Sequence, residues 1–182
     1  FSLARARQFT PPMEASRRRS ETCSQLTANP AHRRFSSVKR ILIICTANIC
    51  RSPMAMGLLN ERLRQGGLDG QVEVTSAGVY GLDGSPASQP GVEVLAERGI
   101  DISAHRAHTV TEREVAEADL VLVMEEAHRR TLFYNYPHLL GKIFLLSEMS
   151  GAYGDIKDPY RKPKEEYTRK ANELAALIDA GV

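Results

Sequence analysis

Two short runs, "ILII" at 41–44 and "LVLVM" at 120–124, are apolar at every position. A strand with one wet face alternates apolar and polar residues, so unbroken runs of this length read as strands covered on both faces. Strands of that kind belong to parallel sheets with helices packed on either side. The rest of the chain supplies the helices. Residues 53–65, "PMAMGLLNERLRQ", carry a helical pattern, with Ser52 as N-cap, Pro53 at the first helical position and Gly66-Gly67 as the stop. "VEVTS" (72–76) alternates and reads as a half-exposed edge strand. Pro90 to Arg98 reads as a short helix ended by Gly99, and Thr111 with Glu114 forms a capping box for another. Glu125 to Tyr134 reads as helical, "IFLL" (143–146) as a further strand, and Pro163 to Ala180 as a helix with Tyr167, Ala171, Leu174 and Ile178 on one face. Strands separated by helices predict an α/β domain built on a parallel sheet. In such sheets ligands gather beyond the carboxyl ends of the strands.

At 182 residues the chain suits one sizeable core. Its net charge of +2 hides an asymmetry. Residues 1–40 hold nine Lys or Arg against two acids, +7, which leaves −5 for the remainder. A mildly acidic body argues against nucleic acid as a partner. The first 37 residues lack periodicity and are rich in Ser, Arg and Pro, so they read as a disordered basic tail or leader, with the folded domain at 38–182. No apolar run is long enough for a membrane span. Cys23, Cys45 and Cys50 make neither a disulfide framework nor a zinc site, and a reduced, cytoplasmic setting follows.

The chemistry concentrates in "CTANICRS", residues 45–52, at the end of the first strand. A loop turning tightly from strand into helix points successive backbone N–H groups inward, which makes an anion site. The helix N-terminus adds unpaired donors and partial positive charge. No acid follows on that helix until Glu61. Arg51 contributes a planar fork that matches two phosphate oxygens. The same field would stabilise a thiolate at Cys45. A cysteine ending a strand is more often a small buried hydrophobe. Arginine six positions on, a hydroxyl next, and strand and helix on either side reverse that balance. The loop lacks the Gly-x4-Gly-Lys-Ser/Thr pattern, which excludes a nucleotide-binding Walker loop.

Cys-x5-Arg-Ser within "CTANICRSPMA" resembles the low-molecular-weight protein tyrosine phosphatases, in particular the bacterial branch that includes arginine phosphatases. The likeness spans about residues 39–180 and recurs in "TSAG" (75–78), "GIDISAHRA" (99–107), "DLVLVM" (119–124) and "DPY" (158–160). It implies a single three-layer domain with a four-stranded parallel sheet in the order 2-1-3-4 and the phosphate-binding loop after strand 1. It implies Cys45 as nucleophile, Arg51 as phosphate holder and Asp158 as general acid and base. Thr46, Ala47, Asn48, Ile49, Cys50 and Ser52 would complete the loop, with Ser52 bonded to the thiolate. Asn48, Ser76 and His105 would brace it, and Tyr160 with Tyr80 would wall the substrate ring. Relatives also use a second loop cysteine as a disulfide partner, which would fall to Cys50; a packed thiol is the equal alternative. The resemblance implies no cofactor or metal, a phosphorylated protein or peptide as partner, and a monomer or weak dimer.

Two positions depart from the family pattern. Ala47 stands where Gly is common, which would strain the loop if positive φ were required there. Arg161 and Lys162 follow Tyr160, a basic pair suited to acidic sequences around the target. His108, His128 and His138 read as ordinary loop histidines. Among competing activities, arginine phosphatases carry Thr at the fifth loop position, where this chain has Ile49. Arsenate reductase needs further cysteines downstream, and none follows Cys50. A phosphate-binding module without catalysis would have no use for both Cys45 and Asp158.

Overall fold

The computed structural model describes residues 39–181, so the reading of the basic segment 1–37 lies outside the described residues. Strand β1 (Lys39–Cys45) leads through the loop to helix α1 (Arg51–Gln65) and strand β2 (Val72–Gly78). Helices α2 (Gln89–Ala96) and α3 (Glu112–Glu117) precede β3 (Leu120–Val123), followed by α4 (Glu126–Asn135), β4 (Ile143–Leu145) and α5 (Lys164–Gly181). Short 3-10 turns at Pro137–Lys142 and Leu146–Ser150 flank β4. Sequence periodicity did not reveal these turns, because segments of five or six residues are too short to show one.

The sheet is parallel throughout, in the order β2-β1-β3-β4. The two unbroken apolar runs are the two central strands, which explains their composition: each is covered on both faces. Successive side chains of β1 point to opposite sides. Ile43 and Cys45 enter the core beneath α1, α2 and α5, where Tyr167, Ala171, Leu174 and Ile178 form the buried stripe of α5. Leu42 and Ile44 enter the other core, with Val115 of α3 and Leu132 of α4. Helices on both faces give three layers. The capping box at Thr111 and Glu114 opens α3 as its sequence predicts. Among the described residues no helix is long and apolar enough to cross a membrane.

From β1 the chain crosses to β2 on one side and later to β3 on the other. The crevice beyond the carboxyl ends of β1 and β3 is therefore the switch point, and residues 45–52 sit there. Gly78, opposite Cys45 in the β1–β2 register, backs this loop closely. A Cβ on Gly78 would lie 2.6 Å from the Thr46 carbonyl oxygen and 3.1 Å from the Ala47 carbonyl carbon, both backbone. Gly78→Ala is expected to lower stability by about 1–3 kcal/mol, because neither neighbour can swing aside. Equilibrium denaturation measures it, and an unchanged midpoint would show that the loop backbone yields freely.

Candidate active site

The loop from Cys45 to Ser52 is held by side chains of its own and by its neighbours. Helix α1 starts at Arg51 with Cys50 in the cap position, and no side chain caps it among the described residues. Ser52 is therefore not the N-cap that its sequence context suggests. Its hydroxyl lies 3.0 Å from the Cys45 sulfur and accepts from Asn48 Nδ2 at 2.9 Å. The turn that brings the loop back toward Cys45 draws that hydroxyl to the sulfur, and the first backbone donors of α1 are left to the loop.

Asn48 is the pivot. It is fully buried and adopts a left-handed backbone, φ 58°. Asn tolerates this conformation better than most residues. The left-handed position thus falls on Asn48 and not on Ala47, so the strain considered for alanine does not arise. Asn48 Nδ2 also donates to Ser76 Oγ at 3.0 Å, and Asn48 Oδ1 accepts from the His108 backbone N–H at 3.1 Å. The Asn48 carbonyl can only accept, so His105 Nε2–H donates to it at 2.8 Å, and burial pushes the ring's pKa down. The loop geometry is fixed from β1, β2 and the 99–109 segment at once.

Arg51 is 1% exposed, and its guanidinium crosses the site. Nη1 pairs with the Glu125 carboxylate and donates to the Ile156 carbonyl at 2.8 Å. Nη2 donates to Thr46 Oγ1 at 3.1 Å and to Asp158 Oδ2 at 2.7 Å. Arg51 Nε, also buried, has no partner among the described residues. Asp158 Oδ1 accepts from the Tyr160 N–H at 3.0 Å, which orients the carboxylate toward the loop.

Cys45, Thr46, Ala47, Ile49, Cys50, Leu82, Asp158 and Tyr160 line one cavity of about 230 Å³. Of the two tyrosines expected at the substrate wall, Tyr160 lines it, while Tyr80 is 68% exposed and is not among its lining residues. Leu82 supplies that side instead. Its N–H donates to the Ala47 carbonyl at 3.1 Å, a backbone tie across the loop that sequence alone does not expose. Arg161, itself left-handed at φ 59°, places its guanidinium carbon 5.3 Å from the Tyr160 ring centroid. Cys50 packs against Tyr167, 3.4 Å from its hydroxyl, and burial pushes its thiol pKa up. Among the described residues no group of three or more His, Cys, Asp or Glu is arranged to hold a metal.

Besides Leu82, sequence reasoning missed two charged or polar side chains of the site. Glu125 lies two residues past the end of β3, and an acid just beyond the carboxyl end of a central strand was the available signal. His128, taken as an ordinary loop histidine, is on α4, 3% exposed, with Nε2 2.9 Å from Thr46 Oγ1. It faces inward because one turn of α4 after Glu125 brings it back over the end of β1. Burial above all, helped by the Arg51 charge and opposed by Glu125, pushes its pKa down to about 4. The unfolded chain then binds this proton below about pH 6.5 while the folded chain refuses it until about pH 4. Stability supplied by the neutral ring is full above that window and is lost as pH falls through it. Between pH 7 and 4 the native protein should lose about 3 kcal/mol more than His128→Gln. Denaturant titrations at both pH values measure the difference, and equal losses would mean that the ring titrates normally.

A thiol, a buried guanidinium and a carboxylate thus stand together at a strand-to-helix loop of a three-layer α/β fold. The family described as low molecular weight phosphotyrosine protein phosphatase matches residues 40–180. The chain is 42% identical over 145 residues to the "Probable low molecular weight protein-tyrosine-phosphatase EpsP" of Ralstonia nicotianae, covering 80% of this chain and 94% of that protein. It is 41% identical over 141 residues to a protein-arginine-phosphatase of Geobacillus stearothermophilus, covering 77% and 91%. A low molecular weight protein tyrosine phosphatase from T. tengcongensis superposes with a TM-score of 0.74 at 48% identity, covering 78% of this chain and 96% of that one. The chain belongs to the low molecular weight phosphotyrosine protein phosphatase family, a family of hydrolases.

Proposed function

We propose that the chain hydrolyses phosphotyrosine in protein or peptide substrates through a phosphocysteine intermediate on Cys45. The observation that carries this reading is the cavity of about 230 Å³ that Cys45 and Asp158 both line, with Ser52 3.0 Å behind the Cys45 sulfur and Arg51 2.7 Å from the Asp158 carboxylate. In the first step the Cys45 thiolate attacks phosphorus, the bond to the tyrosine oxygen breaks, and the Asp158 carboxyl delivers a proton to the departing phenolate. In the second step the Asp158 carboxylate takes a proton from water, whose oxygen attacks phosphorus as the P–S bond breaks. The Ser52 hydroxyl donates to the sulfur and eases its departure.

Arg51 Nε–H and Nη2–H form the fork for two phosphoryl oxygens. Nε is the unpartnered donor, and Nη2 exchanges the Asp158 carboxylate for the substrate, which releases the acid to act. With the loop N–H groups, the guanidinium supplies the positive charge that the transition state needs, so no metal or cofactor is required. A thiol nucleophile works in a reducing compartment, which suits the cytoplasm, and a monomer contains every group named.

The second reading, an arginine phosphatase, is favoured by the 41% identity to one. The wall of Ile49, Leu82 and Tyr160 speaks for an aromatic guest, since none of the three carries a carboxylate to pair with a guanidinium. Turnover of matched phosphotyrosine and phosphoarginine peptides decides between them. The expected ratio is at least about tenfold for phosphotyrosine, since a buried cationic leaving group would lack partners on that wall; a ratio in the other direction would select the alternative.

A further inference from the structure

We propose that His128 is a positioning residue for the reaction, holding the Arg51 guanidinium and the Thr46 hydroxyl toward the phosphate through one hydrogen-bonded relay. The inference rests on the phosphatase reading for its consequence in turnover, but its geometry is independent of it. Thr46 Oγ1 stands between two nitrogens, His128 Nε2 at 2.9 Å and Arg51 Nη2 at 3.1 Å. A guanidinium only donates, so Thr46 accepts from Arg51. The direction of the other bond follows from the imidazole. His128 is buried and neutral, and its Nδ1 has no partner among the described residues. A proton on Nδ1 would bury an orphan donor, whereas a proton on Nε2 leaves only an unused lone pair, the cheaper defect. Nε2–H therefore donates to Thr46.

Both acceptor sites of the Thr46 oxygen are filled, one by Arg51 and one by His128, and its own proton remains to be given away. Thr46 lines the cavity that holds Cys45 and Asp158, where the acceptor is a phosphoryl oxygen. The relay also fixes the guanidinium from the side opposite to its Glu125 pair, so the fork cannot swing when Asp158 lets go. The groups that set the charge around the ring are Glu125, Arg51, Asp155 and Asp158, and none of them satisfies Nδ1.

The test reads oxyanion affinity as well as turnover. Inorganic phosphate binding is measured by calorimetry on the wild type, His128→Leu, His128→Gln, Thr46→Val and the double variant His128→Leu/Thr46→Val. Aryl phosphate kinetics are run on the same set. His128→Leu and Thr46→Val should each weaken phosphate binding and lower kcat/KM by about tenfold, the worth of one charge-linked hydrogen bond. The double variant should lose no more than either single one, since both break the same relay. His128→Gln, whose amide can donate from the position of Nε2, should recover most of the loss. A merely structural role would lower thermal stability in His128→Leu and leave phosphate affinity unchanged, and that result overturns the inference. So does a double variant whose losses multiply to about a hundredfold. If His128→Leu does not fold, Thr46→Val with unaltered phosphate affinity overturns it equally. A wild type that binds phosphate in this pattern but hydrolyses nothing would defeat the phosphatase reading and leave the relay standing.

Discussion

Cys45→Ser should abolish turnover of aryl phosphates while phosphate binding survives. Serine preserves the shape of the side chain and a bond to Ser52, now oxygen to oxygen, so the fold and the loop stay as they are. The loop N–H groups and Arg51 still face an anion. What disappears is the sulfur nucleophile; an alcohol is by its nature a far weaker acid than a thiol, and no base stands beside it to take its proton. The neighbouring Ser52 and Asn48 offer no group able to take its proton. The expected loss in kcat is on the order of 10⁴- to 10⁶-fold, the scale on which removal of a nucleophile acts in other covalent hydrolases. Turnover of the purified variant within about tenfold of wild type would exclude Cys45 as the nucleophile.

The second large effect concerns Asp158. Asp158→Ala should lower kcat by about 10²- to 10⁴-fold on substrates with a poor leaving group such as phenol, and much less on dinitrophenyl phosphate, whose leaving group departs without a proton. An equal drop on both would take Asp158 out of the acid role. The same substitution should tighten inorganic phosphate binding several-fold, because the carboxylate now occupies Arg51 Nη2 at 2.7 Å and competes with the anion. Calorimetry on the variant measures this second outcome. The two results together separate proton delivery, which the variant loses, from charge competition, which it relieves.

Much of the fold was legible because the code for it is local. The runs at 41–44 and 120–124 are apolar throughout because β1 and β3 are the central strands. The stripe of α5, the capping box of α3 and the glycine stop of α1 lie where their residues put them. Boundaries slipped by a residue or two, as at Ser52, where a hydroxyl well suited to capping is engaged by a sulfur instead. The 3-10 turns around β4 carry no periodic signature. Ala47 and Asn48 show the limit of pattern: the loop needs one left-handed residue, and only its three-dimensional path decides which.

The eight residues from Cys45 to Ser52 determine by themselves that a sulfur, a guanidinium and a helix start stand together at the end of a strand, because a few covalent bonds join them. The tertiary structure alone decides what that loop meets next. Asp158 reaches Arg51 across 107 positions of chain, Glu125 across 74, and His128 reaches Thr46 across 82. Their side chains look like a turn former, a helix-start acid and a loop histidine until the order β2-β1-β3-β4 brings the end of β3 beside the end of β1. Local sequence sets the torsions of each segment, but which distant charges lose their water together depends on packing, and on that packing the work of this site rests.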